Sequence, residues 1–314
     1  MKPFVHFDSA DIQAKVPMAV AIGLMKEAFL QLSEKQAIIP IRIAIESEQK
    51  KGTALFMPSY SPLWQLFGLK MVSVFPENSM GMPVIQGKML VMSSLDGLPL
   101  ALLDSAAVTT IRTGAASGLA TDLLANQDAS TLAIFGTGTQ AWSQAEGVLS
   151  VRKIAQIVVR GTSKEKESSF CRMVSKKFQV ECRPINDPDD LKRADIICTA
   201  TTSTDPLFTL DMIQPGVHIN GIGSFKPTMR EIGSDVIKGC RLIVDQREAV
   251  LAEAGDVMIP LSEGAITLNA IHAELGEIIA QTKEGRTSSN QITVFKSVGN
   301  AIQDLAIANF LVNS

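Results

Sequence analysis

Thr131-Leu132-Ala133-Ile134-Phe135-Gly136-Thr137-Gly138-Thr139-Gln140-Ala141 is the stretch on which the fold turns. A short apolar run ends in Gly-x-Gly-x-x-Ala, and a helix-compatible segment from Trp142 to Leu149 follows at once. Gly136 permits a tight strand-to-helix turn, Gly138 has no Cβ to hold a phosphate off the backbone, and Ala141 lets the helix pack close to the strand. The first N–H groups of that helix, from Thr139 and Gln140 onward, then point at an anion. Glycine-rich turns also arise for steric reasons alone, so the surroundings decide between the two readings.

From Ser130 onward the surroundings are regular. Short, continuously apolar segments recur at Thr131–Phe135, Gln156–Arg160, Val180–Pro184, Ile196–Thr201, Val217–Ile222 and Arg241–Asp245, with helical or loop connections between them. Such strands suit a parallel sheet covered on both faces. The expected class is therefore α/β, a Rossmann-type doubly wound parallel sheet that binds a dinucleotide at its first turn.

The first hundred residues follow another pattern. An amphipathic helix is predicted from Val16 to Gln31, with Val20, Leu24, Ala28 and Leu32 on one face. Strands are predicted at Arg42–Glu46, Thr53–Met57, Phe67–Phe75 and Gly87–Ser93, and Asp96-Gly97 between apolar runs marks a hairpin. This reads as an α+β domain on an antiparallel sheet. Asp104 to Asn126 reads as one helix, N-capped by Asp104 or Ser105. Its centre, Thr113-Gly114-Ala115-Ala116-Ser117-Gly118, is nearly all small. Each glycine there costs about 1 kcal/mol against alanine, which points to another backbone packed very close. Gln291 to Phe310 does not extend the sheet pattern and reads as a return to the first domain. The expected division is 1–120 with 292–314 as a substrate-binding domain made by both chain ends, and 121–291 as the dinucleotide domain. The active site is expected in the cleft between them.

At 314 residues, 46% hydrophobic and 19% charged, the chain has the composition of an ordinary soluble globular protein. A formal charge of −3 gives no support to a nucleic-acid partner. No charged-then-apolar leader or membrane-length apolar run is visible, so no membrane partner and a cytoplasmic location are expected. Cys171, Cys182, Cys198 and Cys240 lack CxxC spacing, and the three histidines lie far apart, so no metal site is expected. His218 within Gly216-Val217-His218-Ile219 reads as a core histidine, and Met80, Met82, Met89 and Met92 as gap-filling core. Glu253, Asp256 and Asp304 could reach a substrate or could cap helices.

Cofactor choice is read at the end of the second Rossmann strand. There Val158-Val159-Arg160-Gly161-Thr162-Ser163-Lys164 has no carboxylate before Glu165. Arg160, Thr162, Ser163 and Lys164 offer charge and donors where an adenosine 2′-phosphate would lie. NADPH is predicted over NADH, which stays possible. Three cations in apolar or small-residue settings then stand out: Arg42, Lys70 and Arg112. Singly, each reads equally as a snorkelling or internally paired side chain. Together they read as a site for a carboxylate substrate, with a partly desolvated lysine available as acid or base.

Arg42, Gly68-Leu69-Lys70, Ile111-Arg112-Thr113-Gly114-Ala115, Gly136 to Ala141 and Gly255-Asp256 occur in order, and Phe295-Lys296-Ser297-Val298-Gly299-Asn300-Ala301-x-x-Asp304 closes the series. In these motifs the chain resembles the ornithine cyclodeaminase/mu-crystallin family over nearly its whole length. The resemblance implies a homodimer joined through the non-Rossmann domain. It also implies that Arg42, Lys70 and Arg112 hold a substrate carboxylate beside the nicotinamide. Thr113, Gly138, Thr139, Gln140, Ala141, Arg160, Thr162 and Val298 would lie along the cofactor. Thr199, Ala200 and Thr201 would join them after the fourth strand, and Gly223 and Ser224 after the fifth.

The family's ornithine cyclodeaminases look like Gly-Asp followed by a Pro-Gly-Lys turn after that fifth strand, the aspartate handling the substrate's amino groups. Gly221-Ile222-Gly223-Ser224-Phe225-Lys226-Pro227 puts Phe225 in its place. A phenylalanine can neither accept a proton nor bind an ammonium through a carboxylate. The departure makes the chain similar instead to the family's ketimine reductases of Δ1-pyrroline-2-carboxylate and Δ1-piperideine-2-carboxylate. What this implies is NADPH-dependent reduction of a cyclic imino acid to L-proline or L-pipecolate. Arg112 and Arg42 would clamp the carboxylate, Lys70 would act at the imine nitrogen, and Phe225 would face the ring. An ornithine cyclodeaminase with retained NAD, an alanine or other amino-acid dehydrogenase, and a non-enzymic ligand-binding protein of crystallin type are the alternatives.

Overall fold

Strand pairing separates the chain into two units, residues 1–112 with 299–314, and residues 113–298. The computed structural model describes residues 3–48, 51–75, 77–78, 81–187 and 189–314.

In the first unit, β1 (Val5–Phe7), β2 (Ile43–Ser47), β3 (Gly52–Ser61), β4 (Leu66–Val74), β5 (Ile85–Ser93) and β6 (Pro99–Asp104) form one sheet in the order β1-β6-β5-β4-β3-β2. It is antiparallel from β2 to β6, and β1 joins it in parallel. Strict alternation along β4 buries Leu66, Gly68, Lys70 and Val72 and exposes Phe67, Leu69 and Met71. The buried face is covered by the C-terminal helix (Ala301–Asn313), which also packs on α2 (Met18–Ser33). That terminal helix is buried from Ala301 through Ala308.

One predicted face is wrong. α2 buries Ala21, Met25, Ala28, Phe29 and Leu32, while Val20 is exposed and Leu24 only half-buried. A shorter helix, α1 (Ser9–Lys15), precedes it, and Pro17 separates the two because the residue before a proline is disfavoured in helical backbone. Residues four apart drift about 40° round a helix, so Val20 falls about 120° from Leu32 and off the buried stripe. Of the methionines, Met89 is core and Met82 is exposed, against the core expected for it; Met80 lies outside the described residues.

The second unit holds β7 (Thr131–Phe135), β8 (Gln156–Arg160), β9 (Glu181–Pro184), β10 (Ile196–Thr199), β11 (His218–Gly221), β12 (Arg241–Val244), β13 (Ile271–Glu274) and β14 (Thr293–Lys296). They form a parallel sheet in the order β13-β12-β14-β11-β10-β7-β8-β9. β7 is flanked by β8 on one side and β10 on the other, so the winding reverses at the end of β7, beside Gly136. Its run is continuously apolar because both faces are covered: Ala133 and Phe135 join one cluster, Leu132 and Ile134 the other. Of Gln291 to Phe310, Thr293–Lys296 extends the sheet, contrary to expectation, while the helix from Ala301 returns to the first unit as expected. β14 inserts between β11 and β12. The second boundary accordingly falls at 299 rather than 292, and the first at 112 rather than 120.

The small-residue helix is α3 (Ser105–Leu124), and Asp104 Oδ1 caps it by accepting from Ala107 N at 3.0 Å. A Cβ on Gly147, in α4 (Thr139–Leu149), would overlap the Gly114 carbonyl oxygen and touch Gly118 N. The close backbone approach predicted from Gly114 and Gly118 is therefore made by α4. His218 is a core histidine, bonded to Thr293 and Asn220, and burial lowers its pKa to about 3.

Candidate active site

In the first unit the sheet and the C-terminal helix bring the predicted cations together. Lys70 points inward from β4 because its parity is that of the buried face, and its Nζ donates to Asp304 Oδ2 at 2.7 Å and to Thr109 Oγ1 at 3.2 Å. Arg112, on α3, sets its Nε 3.4 Å from Asp304 Oδ1 and donates from Nη1 to Gln303 Oε1 at 2.8 Å. Asp304 is fully buried between the two cations. Arg42 precedes β2 and is half-buried, with its Nη2 donating to the Gly299 carbonyl at 2.7 Å. Gly299 has φ +75, and a Cβ there would overlap the Arg112 guanidinium. Both arginines thus converge on one glycine, which neither the backbone nor the neighbour lets be anything larger.

Electrostatics follow from burial. Desolvation pulls the Lys70 pKa down to about 8, Asp304 opposes that fall, and Arg112 and Arg42 add to it. A lysine so placed exchanges a proton near neutral pH, where an exposed one would not.

In the second unit the glycine turn has the shape the sequence predicts. Gly136 has φ +117, and a Cβ on it would stand 2.6 Å from the Ala200 carbonyl oxygen. Gly138 is the N-cap of α4 without a side-chain cap, and a Cβ there would meet no described atom within 4 Å. Thr139, Gln140 and Ala141 form the first turn behind it. Open backbone at the start of an 11-residue helix fits a pyrophosphate.

The loops after β10 and β11 are held by one carboxylate that sequence reading missed. Glu231, fully buried, accepts from Thr199 Oγ1 at 2.8 Å, Thr201 N at 2.6 Å, Gly223 N at 2.7 Å and Ser224 N at 3.2 Å. Burial raises its pKa, against the opposing charge of Lys296. Asp256 Oδ1 in turn accepts from Glu231 N at 2.6 Å and Ile232 N at 3.0 Å, and its Oδ2 lies 2.9 Å from Lys296 Nζ. Asp256 is therefore neither exposed nor a simple cap. Ser297 Oγ and Val298 N both donate to Asp245 Oδ2, at 2.8 and 3.0 Å.

The remaining predicted residues are placed as follows. Ala200 is half-buried, and its N–H donates to Phe135 O. Thr113 is buried on α3, its carbonyl accepting from Gln144 Nε2. Arg160 and Thr162 are exposed at the end of β8, with Arg160 Nη2 donating to Ile185 O at 3.1 Å. Ser163 Oγ caps α5 (Lys164–Phe178), and Ser224 Oγ donates to Met229 O, so both hydroxyls have internal partners. Phe225 is half-buried.

With this geometry in place, comparison with known proteins is decisive. The profile of the ornithine cyclodeaminase/mu-crystallin family matches residues 5–314. The chain belongs to that family. It is 41% identical over 287 residues to a Δ1-pyrroline-2-carboxylate reductase of Bacillus cereus, covering 90% of this chain and 88% of that protein. The structure of Thermococcus litoralis Δ1-pyrroline-2-carboxylate reductase in complex with NADH and L-proline superposes with a TM-score of 0.94 at 36% identity, covering 98% and 96% of the two chains. An archaeal alanine dehydrogenase dimer with bound NAD gives a TM-score of 0.92 at 29% identity, over 98% and 94%.

Within this ornithine cyclodeaminase/mu-crystallin chain, Gln303, Asp304, Glu231 and Lys296 are the polar residues that sequence reading passed over or ranked low. For the first two a signal existed. Gln303 and Asp304 interrupt Ala301-Ile302 and Leu305-Ala306-Ile307-Ala308, a run otherwise free of polar side chains. Glu231, in a polar loop, carried none.

Proposed function

We propose that this chain reduces Δ1-pyrroline-2-carboxylate or Δ1-piperideine-2-carboxylate to L-proline or L-pipecolate with NADPH. That it is an oxidoreductase acting on a carbon–nitrogen double bond follows from the family and the reductases it resembles. The observation that carries the finer reading is the convergence of Arg42, Arg112 and Lys70 about Gly299 and Asp304. Two guanidinium groups suit a carboxylate, and the buried lysine stands ready to act at the adjacent nitrogen.

Gly136 and Gly138 would hold the pyrophosphate of a reduced nicotinamide dinucleotide, which would supply a hydride. Arg42 and Arg112 fix the carboxylate and so hold C2 in place to receive it. Lys70 Nζ carries the proton that the ring nitrogen gains as C2 is reduced, and Asp304 keeps that ammonium oriented. Phe225 stands half-buried in the loop after β11. Where a cyclodeaminase needs a carboxylate at this point, Phe225 cannot serve.

NADPH is favoured over NADH by the end of β8. Arg160 and Thr162 are exposed there, Lys164 follows, and the nearby Glu167 is turned inward to accept from Gly161 N at 2.8 Å. A homodimer is favoured by the outer face of the first sheet. Ile43, Ile45, Phe67, Leu69 and Met71 share that face by register and are exposed, more than a scatter of single residues. We place the protein in the cytoplasm. The test is product identity: L-proline or L-pipecolate should form from the cyclic imine and NADPH. Ammonia release from ornithine without added cofactor would overturn the reading.

A further inference from the structure

Asn300 occupies the N-cap of the C-terminal helix, with φ −136 and ψ 164. At that position an asparagine ordinarily accepts a hydrogen bond from the second or third N–H of its helix. Asn300 does not. Its side chain is only 4% exposed, yet neither Nδ2 nor Oδ1 has a hydrogen-bond partner among the described residues. Leaving a buried polar group unpaired costs roughly 1–3 kcal/mol, so the conformation calls for an outside partner. Gln303 lies one turn further along the same face. Its Oε1 accepts from Arg112, and its Nε2 is likewise unpartnered among the described residues. Gly299, whose carbonyl Arg42 holds and whose Cα faces the Arg112 guanidinium, is the residue immediately before Asn300.

A ligand that satisfies Asn300 must offer an acceptor and a donor side by side. A 2-imino carboxylate does so once its nitrogen has taken the proton from Lys70; a 2-oxo carboxylate offers acceptors only. We propose that Asn300 is a further substrate-binding residue, its Nδ2 donating to the carboxylate and its Oδ1 accepting the N–H of the ring nitrogen. This rests on the reading of the site as one for a cyclic imino carboxylate. Gln303 Nε2 supports the same carboxylate, and Asn300 supplies preference for the imine over the corresponding 2-oxo acid.

The experiment compares wild type, Asn300→Leu and Asn300→Ser in apo melting temperature, KM and kcat for Δ1-pyrroline-2-carboxylate, and inhibition by pyruvate. Leucine removes both unpaired atoms, so Asn300→Leu should melt no lower than wild type while KM rises at least tenfold. Serine caps helices well, so Asn300→Ser should keep its stability and show the same rise. Pyruvate inhibition should weaken by a smaller factor than the imine KM rises in either variant, because pyruvate loses the carboxylate contact alone. A KM within twofold of wild type in both variants would overturn the assignment, and a melting temperature lowered in Asn300→Leu alone would then mark the residue as a helix cap. Absence of turnover in the wild type would contradict the function itself; normal wild-type turnover with unmoved variants contradicts only the role of Asn300.

Discussion

Lys70 Nζ lies 2.7 Å from Asp304 Oδ2, and both side chains are sealed from solvent between β4 and the C-terminal helix. Arg112 approaches the other carboxylate oxygen at 3.4 Å. A single acid thus serves two buried cations. This keeps both charged without neutralising either fully, and it makes the pH response of the site readable.

Lys70→Ala should lower kcat for imine reduction by about 10²–10⁴, the usual contribution of a positioned acid. In the wild type, with the Lys70 pKa down at about 8, the reductive rate should fall as pH rises through that value, while oxidation of the cyclic amino acid should rise. Below about pH 8 the lysine carries the proton that reduction consumes; above it the neutral amine can accept one. Steady-state rates in both directions between pH 6 and 10, about two pH units either side of the transition, check this. A reductive rate that is level across the range removes Lys70 as the acid.

Asp304→Asn takes away the group that holds the Lys70 pKa up, leaving desolvation and the two arginines that push it down. The alkaline limb of the reductive profile should therefore move to lower pH. Breaking a buried ion pair by removing one partner costs about 3–5 kcal/mol, so the melting temperature should fall as well. A limb moved upward would contradict the assignment.

Glu231 ties the loops after β10 and β11 to each other through four hydrogen bonds. Glu231→Gln turns an N–H₂ toward N–H donors and should weaken dinucleotide binding about tenfold or more, equivalent to about 1.4 kcal/mol. KM for the imine at saturating cofactor should change little. Fluorescence titration with the reduced dinucleotide reads this directly, and unchanged affinity would show the two loops to be independent of the carboxylate.

Arg160→Glu should reverse cofactor preference. The variant replaces a cation with an anion at the end of β8, where an adenosine 2′-phosphate would be repelled and ribose hydroxyls accepted. The ratio of kcat/KM for NADPH to that for NADH should exceed one in the wild type and fall below one in the variant. A wild type that already prefers NADH contradicts the reading of β8.

What the sequence made legible was local. The apolar run of β7 and the glycines after it encode strand, turn and helix start within eleven residues. The crowding of Gly114 and Gly118 encoded the approach of α4 without naming it. Lys70 was visible because a charge in an apolar strand is conspicuous. What stayed hidden depends on partners far along the chain. β14 was missed because its short run ends on Lys296, a buried charge paired with Asp256, forty residues earlier. Glu231 sits in a loop whose composition reads as solvated; burial there is possible because two other loops converge on it with donors. The stripe of α2 was misplaced because a series of residues four apart drifts round the helix, so that Val20 leaves the face Leu32 occupies.

The central claim, that two arginines and a buried lysine present a cyclic imino carboxylate for reduction, is tested most directly by substrate discrimination in the wild-type protein. NADPH oxidation should be followed with Δ1-pyrroline-2-carboxylate, with Δ1-piperideine-2-carboxylate, and with pyruvate plus ammonia. The account predicts that kcat/KM for at least one cyclic imine exceeds that for pyruvate and ammonia by a hundredfold or more, about 2.7 kcal/mol in transition-state binding. Equal or greater activity with pyruvate and ammonia would contradict it and make the chain an open-chain amino-acid dehydrogenase.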